Sequence, residues 1–141
     1  MSALVEDPGR GAEQGLTLAA ITNAVVRVYK HFCGKGPVRA RSHLGDGLLL
    51  VILEGGLTRA EQTLRDRGQT QAVVDARQRM RQAIEPELRA AIESELRRSV
   101  RSFMSALDPA LELEILACAL DVAGDEALAI AEGVSATEPR G

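Results

Sequence analysis

Aromatic side chains are nearly missing from this chain. Tyr29, Phe32 and Phe103 are the full set, and there is no tryptophan. Proteins that hold single-stranded nucleic acid stack its bases on aromatic platforms, so the chain is not expected to bind nucleic acid. A net charge of -3 argues in the same direction against a general affinity for polyanions. Long apolar runs are missing too. The two longest, Leu48 to Leu53 and Ile115 to Leu120, are far shorter than the roughly 20 residues of a membrane-spanning helix, so no transmembrane segment is expected. The first residues carry Glu6, Asp7 and Glu13 without an apolar stretch, which does not fit a secretory signal, and a cytoplasmic location follows as the expectation. Cysteine is limited to Cys33 and Cys118, with no C-x-x-C spacing. Free thiols are expected, with no disulfide and no metal site. His31 and Cys33 lie two apart, which on a helix turns them to different faces.

What the chain does have is the content of one globular domain. Its 141 residues are 45% hydrophobic and 26% charged, enough to bury a core. Residues 1–15 hold Pro8, Gly9, Gly11 and Gly15 without periodicity and read as a disordered leader. From Leu16 the picture changes. Leu18, Ile21, Val25, Val28 and Phe32 recur at spacings of three and four, an amphipathic helix with Thr17 as its N-cap and Gly34 as its stop. Val38 to Leu44 alternates, with Arg39, Arg41 and His43 on a basic outer face, and Gly45-Asp46-Gly47 turns it into a hairpin. The return strand, Leu48 to Leu53, is apolar on both faces, which suits a central strand or the wall of an oligomer interface. Thr58 and Glu61 stand at capping-box spacing and open a helix that Gly68 interrupts. A long helix follows from about Gln71, with Val73, Val74, Met80, Ile84, Leu88, Ile92 and Leu96 as its apolar seam. Pro86 either kinks it or divides it in two.

Val100 to Leu107 reads as a third strand and Asp108-Pro109 as a turn. In the fourth strand Leu111, Leu113 and Ile115 are expected inward and Glu112 and Glu114 outward. The order helix, hairpin, helices, hairpin gives an α+β fold, with helices packed on one small antiparallel or mixed four-stranded sheet. The domain is expected to span residues 16–120, followed by an acidic tail over 121–141 in which Asp125 to Ala131 forms a short helix.

Charge is unevenly placed. Between Gln14 and Gly45 stand Arg27, Lys30, Lys35, Arg39 and Arg41 and no acid, whereas beyond Asp108 acids dominate and Arg140 is the one base. One reading pairs Arg39 and Arg41 with Glu112 and Glu114 on a neighbouring strand. The other makes Lys35, Arg39, Arg41 and His43 a contact for an anion or a partner. The Gly34-Lys35-Gly36-Pro37 stretch follows a helix and precedes a strand, the reverse of a phosphate-binding P-loop. Glu54-Gly55-Gly56-Leu57-Thr58 has the right context for an anion at a helix start, but Glu54 would repel one. No nucleophile, base and orienting group stand out together, so no catalytic residues are assigned and no cofactor is expected.

Taken together, Ile21 to Lys30, Gly34-Lys35-Gly36-Pro37, Arg39-Ala40-Arg41, the Leu53-Glu54-Gly55-Gly56-Leu57-Thr58-x-Ala60-Glu61-x-x-Leu64 pattern and Phe103-Met104-Ser105 resemble the bacterial MpsC-like family. That family was formerly a domain of unknown function and is named after a sodium-translocating, membrane-potential-generating system. The resemblance covers about Leu18 to Ile115. Its motif residues here are Gly34, Gly36, Pro37, Glu54, Gly55, Gly56, Thr58 and Glu61. The resemblance implies an accessory or interaction module of a membrane ion or bicarbonate transport system, held near the membrane through a transport-protein partner. The runner-up function is a regulatory domain binding a small anion or nucleotide near Lys35, Arg39 and Arg41. Because one layer of helices covers one face of a sheet, the two-sided Leu48 to Leu53 strand further predicts a homodimer, unless the tail after Leu116 folds back over it.

Overall fold

A computed structural model describes residues 8–121, with side chains from residue 15 onward. Three helices lie on one face of a four-stranded sheet: α1 (Pro8–Cys33), β1 (Arg39–Gly45), β2 (Leu48–Glu54), α2 (Arg59–Asp66), α3 (Thr70–Leu96), β3 (Val100–Asp108) and β4 (Leu113–Leu120). The sheet is antiparallel throughout, in the order β1-β2-β4-β3. This is the expected α+β arrangement. The two apolar runs pair with each other as the central strands, Leu49 against Cys118 and Val51 against Leu116, so each shields the other's backbone from water.

The core is the seam between helices and sheet. Ile21, Val25 and Tyr29 of α1 and Ile84, Leu88 and Ile92 of α3 meet Leu49, Val51 and Leu53 of β2 and Leu116, Cys118 and Leu120 of β4. Burying side chains of this size stabilises by about 1.5–3 kcal/mol each. On α3 the inward positions are Val73, Arg77, Arg81, Ile84, Leu88 and Ile92, so the seam runs straight through two arginines. Gln69 precedes the helix, Arg97 ends it in the left-handed region, and Pro86 lies inside one continuous helix rather than between two. The Glu93 carboxylate accepts the Val100 amide at 2.7 Å, and Arg89 donates to the Val100 carbonyl at 2.6 Å. The end of α3 is thereby tied to the start of β3.

Four expectations are corrected. Helix α1 begins at Pro8, not at Leu16, so residues 8–15 are helical and Thr17 is not an N-cap; proline suits a first turn, where its missing amide has no partner to lose. Residues 1–7 of the expected leader and the expected Asp125 to Ala131 helix lie outside the described residues. β4 has the opposite phase: Glu114, Leu116, Cys118 and Leu120 face the helices, while Leu113 and Ile115 face away and Leu111 is left in the turn. The turn accommodates this phase. Glu112 takes a positive φ of 49°, which re-aims the chain before the ladder begins, and a one-residue shift inverts every side chain of a strand. Finally, Arg39 and Arg41 do not meet Glu112 and Glu114, because β2 lies between β1 and β4. Both arginines reach Glu54 on the adjacent strand, at 3.7 and 3.3 Å.

Candidate functional site

Two glycine segments meet at one end of the sheet. Gly34, with φ of 79°, ends α1 and sends the chain through Lys35-Gly36-Pro37 into β1. Gly55, with φ of 74°, leaves β2 toward α2. The segments touch closely: a Cβ on Gly55 would come within 2.9 Å of the Val38 side chain, which would have to shift. The Val38 amide donates to the Glu54 carbonyl at 2.7 Å, and the Gly55 amide to the Glu112 carbonyl at 2.9 Å. Lys35 donates its ammonium to the Leu57 carbonyl at 2.9 Å. Thr58 then caps α2 as its spacing predicts: the Glu61 amide donates to its hydroxyl, and the Thr58 amide to the Glu61 carboxylate at 2.8 Å.

Beneath these loops lies a cluster of buried ions. Arg77 and Glu114 are each only 5% exposed. The Arg77 fork binds both oxygens of Glu61 at 2.8 Å, donates to the Gly56 carbonyl, and reaches Glu114 at 3.4 Å. Tyr29 closes the cluster from α1 by donating to Glu114 at 3.2 Å. Glu61 therefore caps a helix through Oε1 while binding an arginine through both oxygens. Alongside, Glu112 accepts from the Leu57 amide, Gln62 and Arg65. Among the described residues no buried side-chain nitrogen or oxygen lacks a hydrogen-bond partner, which is the condition under which buried charge is tolerated.

The two carboxylates on Arg77 differ. Burial works against the charged form of Glu61, but the Arg77 fork and the Thr58 amide outweigh it and hold that carboxyl below the usual range. At Glu114 burial prevails over the attraction of Arg77, whose fork is committed to Glu61, and the carboxyl is pushed up. Burial and the neighbouring Glu114 push the Tyr29 phenol up as well. The same cause raises both thiols, that of Cys118 to about 11. A cleft of about 250 Å³, lined by Val74, Arg77, Gln78, Ser105, Leu107 and Glu114 among others, adjoins the cluster.

The opposite face of the sheet carries no helix among the described residues. Strand register lines its side chains up in rows. The first is charged: Arg39, Glu54, Leu113 and Asp108. Arg41, Ile52, Ile115 and Ala106 form the second row, and His43, Leu50, Ala117 and Met104 the third. Gly45, Leu48, Ala119 and Ser102 complete the face. Across β2, β4 and β3 the last three rows are almost wholly apolar, with Leu48 47% and Met104 54% exposed, and β1 lends them a basic border. A contiguous apolar area of this kind marks a contact surface.

Of the residues singled out by sequence, Arg39, Arg41 and His43 stand together on this open face. Lys35 does not join them, being tied to Leu57 in the glycine loops. Gly34, Gly36, Pro37, Glu54, Gly55, Gly56, Thr58 and Glu61 fall in or beside those loops. Arg77, Arg81 and Tyr29 were given no site role, and Glu114 was expected on the outer face. The signal for the arginines was present in their phase, since Val73, Arg77, Arg81, Ile84 and Leu88 follow one another at spacings of four, four, three and four.

Among the described residues no three His, Cys, Asp or Glu side chains gather as a metal site requires, and no helix is long and apolar enough to cross a membrane. No curated protein and no solved structure matches the chain. The pattern of the MpsC family, described as a Na+-translocating membrane potential-generating system, matches residues 13–122, most of the chain, which therefore belongs to that family.

Proposed function

From membership of the MpsC family, we propose that this chain is a non-catalytic interaction module serving a Na+-translocating membrane-potential system from the cytoplasmic side. The observation that carries this reading is the open apolar sheet face with its basic border. A monomer gains nothing from leaving Leu48, Leu50 and Met104 in water, whereas a partner that covers them gains the transfer free energy of that area. Arg39, Arg41 and His43 are the charged contacts at its edge and steer an acidic partner surface. The ion cluster supports the same reading from the other side. Its groups spend their hydrogen bonds on one another and join α1, α2, α3 and β4 into a rigid frame for the face.

The test is complementation. A strain lacking this chain loses the Na+-dependent membrane potential, read with a cationic dye, and regains it with the parent sequence but not with a folded Leu50→Asp variant. An unchanged potential in the deletion strain overturns the reading, as does full rescue by Leu50→Asp.

A further inference from the structure

The open face matches itself. We infer that its occupant is a second copy of this chain, stacked face to face about a two-fold axis that runs along the strands; this rests on the reading of that face as a docking surface.

Two identical sheets can stack face to face around an in-plane axis in two ways. With the axis along the strands, strand order reverses while the rows stay level, so β1 lies over β3 of the second copy and β2 over β4. The charged row then meets the charged row, with Arg39 over Asp108 of the second copy. Apolar side chains meet apolar ones across the centre, Leu50 over Ala117, Leu48 over Ala119 and Ile52 over Ile115. With the axis across the strands, β1 lies over β1, Arg41 faces His43, and the charged row is buried against Leu48 and Ala119. Charge selects the first.

The distances suit it. Stacked sheets lie about 10 Å apart, a gap that an extended arginine and an aspartate can bridge. Arg39 is free to turn, being 74% exposed in its side chain and only 3.7 Å from Glu54 at one edge of its guanidinium. Exposed pairs of this type set orientation more than affinity. Four strands at about 4.8 Å and four rows at about 6.8 Å give about 500 Å² per copy, or about 1,000 Å² in all. That is the lower edge of specific interfaces, so the dimer forms with concentration rather than permanently.

Sedimentation equilibrium of the full chain, from low micromolar to several hundred micromolar, tests this. The expected mass doubles across that range. Ile115→Lys abolishes the doubling while its circular dichroism and thermal transition show an intact fold. Arg39→Asp weakens association about tenfold, and Arg39→Asp with Asp108→Arg restores it. Because Asp108 also accepts the Ala110 and Leu111 amides, Asp108→Asn, which keeps that acceptor, serves as the second probe and weakens association by charge alone. A mass that stays monomeric overturns the inference. So does a dimer indifferent to Ile115→Lys, or a charge exchange that fails to restore association in a folded protein. A chain ending at Asp121 that dimerises when the full chain does not would assign the face to residues 122–141 instead, overturning it as well. A monomer whose Leu50→Asp variant still loses the cellular potential overturns the second copy and keeps the docking surface. A dimer whose face variants keep the potential does the reverse.

Discussion

The two faces of this sheet are built from the same two central strands and treated in opposite ways. Toward the helices, β2 and β4 present Leu49, Val51, Leu53, Leu116 and Cys118 together with an ionised cluster that is almost dry. Away from them, the alternate residues of those strands, Leu48, Leu50, Ile52, Ile115 and Ala117, are apolar and open. Some charge therefore lies inside beside the hydrocarbon core, and some hydrocarbon lies outside. The contrast teaches that polarity alone does not say which face of a strand is covered. A buried carboxylate persists where an arginine fork meets it, and among the described residues no element crosses the apolar stripe.

The contrast breaks most severely at Arg77. Arg77→Leu leaves Glu61 and Glu114 buried without their cation and should cost about 3–5 kcal/mol in urea unfolding; a loss below about 1 kcal/mol would show that the cluster does not hold the frame. Neighbouring leucines on β2 sharpen the comparison directly. Leu49→Ala, on the covered face, should cost about 2–5 kcal/mol, and Leu50→Ala, on the open face, less than about 1 kcal/mol when both are measured at low protein concentration. Equal losses would mean that both faces are covered in the monomer. Thr58→Ala removes the acceptor of the Glu61 amide and should cost about 1 kcal/mol, with no change in stability placing the start of α2 elsewhere.

A pH series isolates Glu114. Its carboxyl is held above the ordinary range, so the native state binds that proton more tightly than the unfolded chain, and stability falls as pH rises from about 4.3 through the native value. Glu61, Glu85 and Glu112 are held below the ordinary range and act in the opposite sense: what they contribute is present above about 4.3 and is lost as pH falls. Glu114→Gln should therefore flatten the decline on the neutral side of that point and leave the acid-side loss in place, as read from urea midpoints across the range. A parallel curve for parent and variant would remove Glu114 from the account. The smallest effect belongs to the basic border. Arg39→Ser with Arg41→Ser breaks two exposed contacts to Glu54 and should shift monomer stability by no more than about 1 kcal/mol; a larger loss would give those arginines a folding role.

Much of this fold is legible along the chain because its signals are local. Positive φ at Gly47, Gly55 and Gly68 falls where glycine breaks the pattern. The capping box needs three residues to declare itself, and the strict alternation of β1 survives intact. The glycine motif is legible for the same reason, since the positive φ at Gly55 strains any other residue there. What could not be read is the phase of β4, where Leu113 to Leu120 offers two nearly equal apolar faces and Glu114 tips the choice the wrong way. An isolated glutamate reads as solvent-facing. Only a fork delivered from α3, 37 residues earlier in sequence, reverses that preference.

The sequence by itself thus determined the order of the elements and most of their breaks, because hydrophobic period, glycine and capping chemistry act over a few residues. The tertiary structure alone decided which face of the sheet the helices cover, where Glu114 and Arg77 meet, and that Arg39 and Arg41 answer Glu54 rather than Glu112 and Glu114. Those are matters of strand order and of charges joined across the chain, and a buried ion pair has no signature in either partner taken alone.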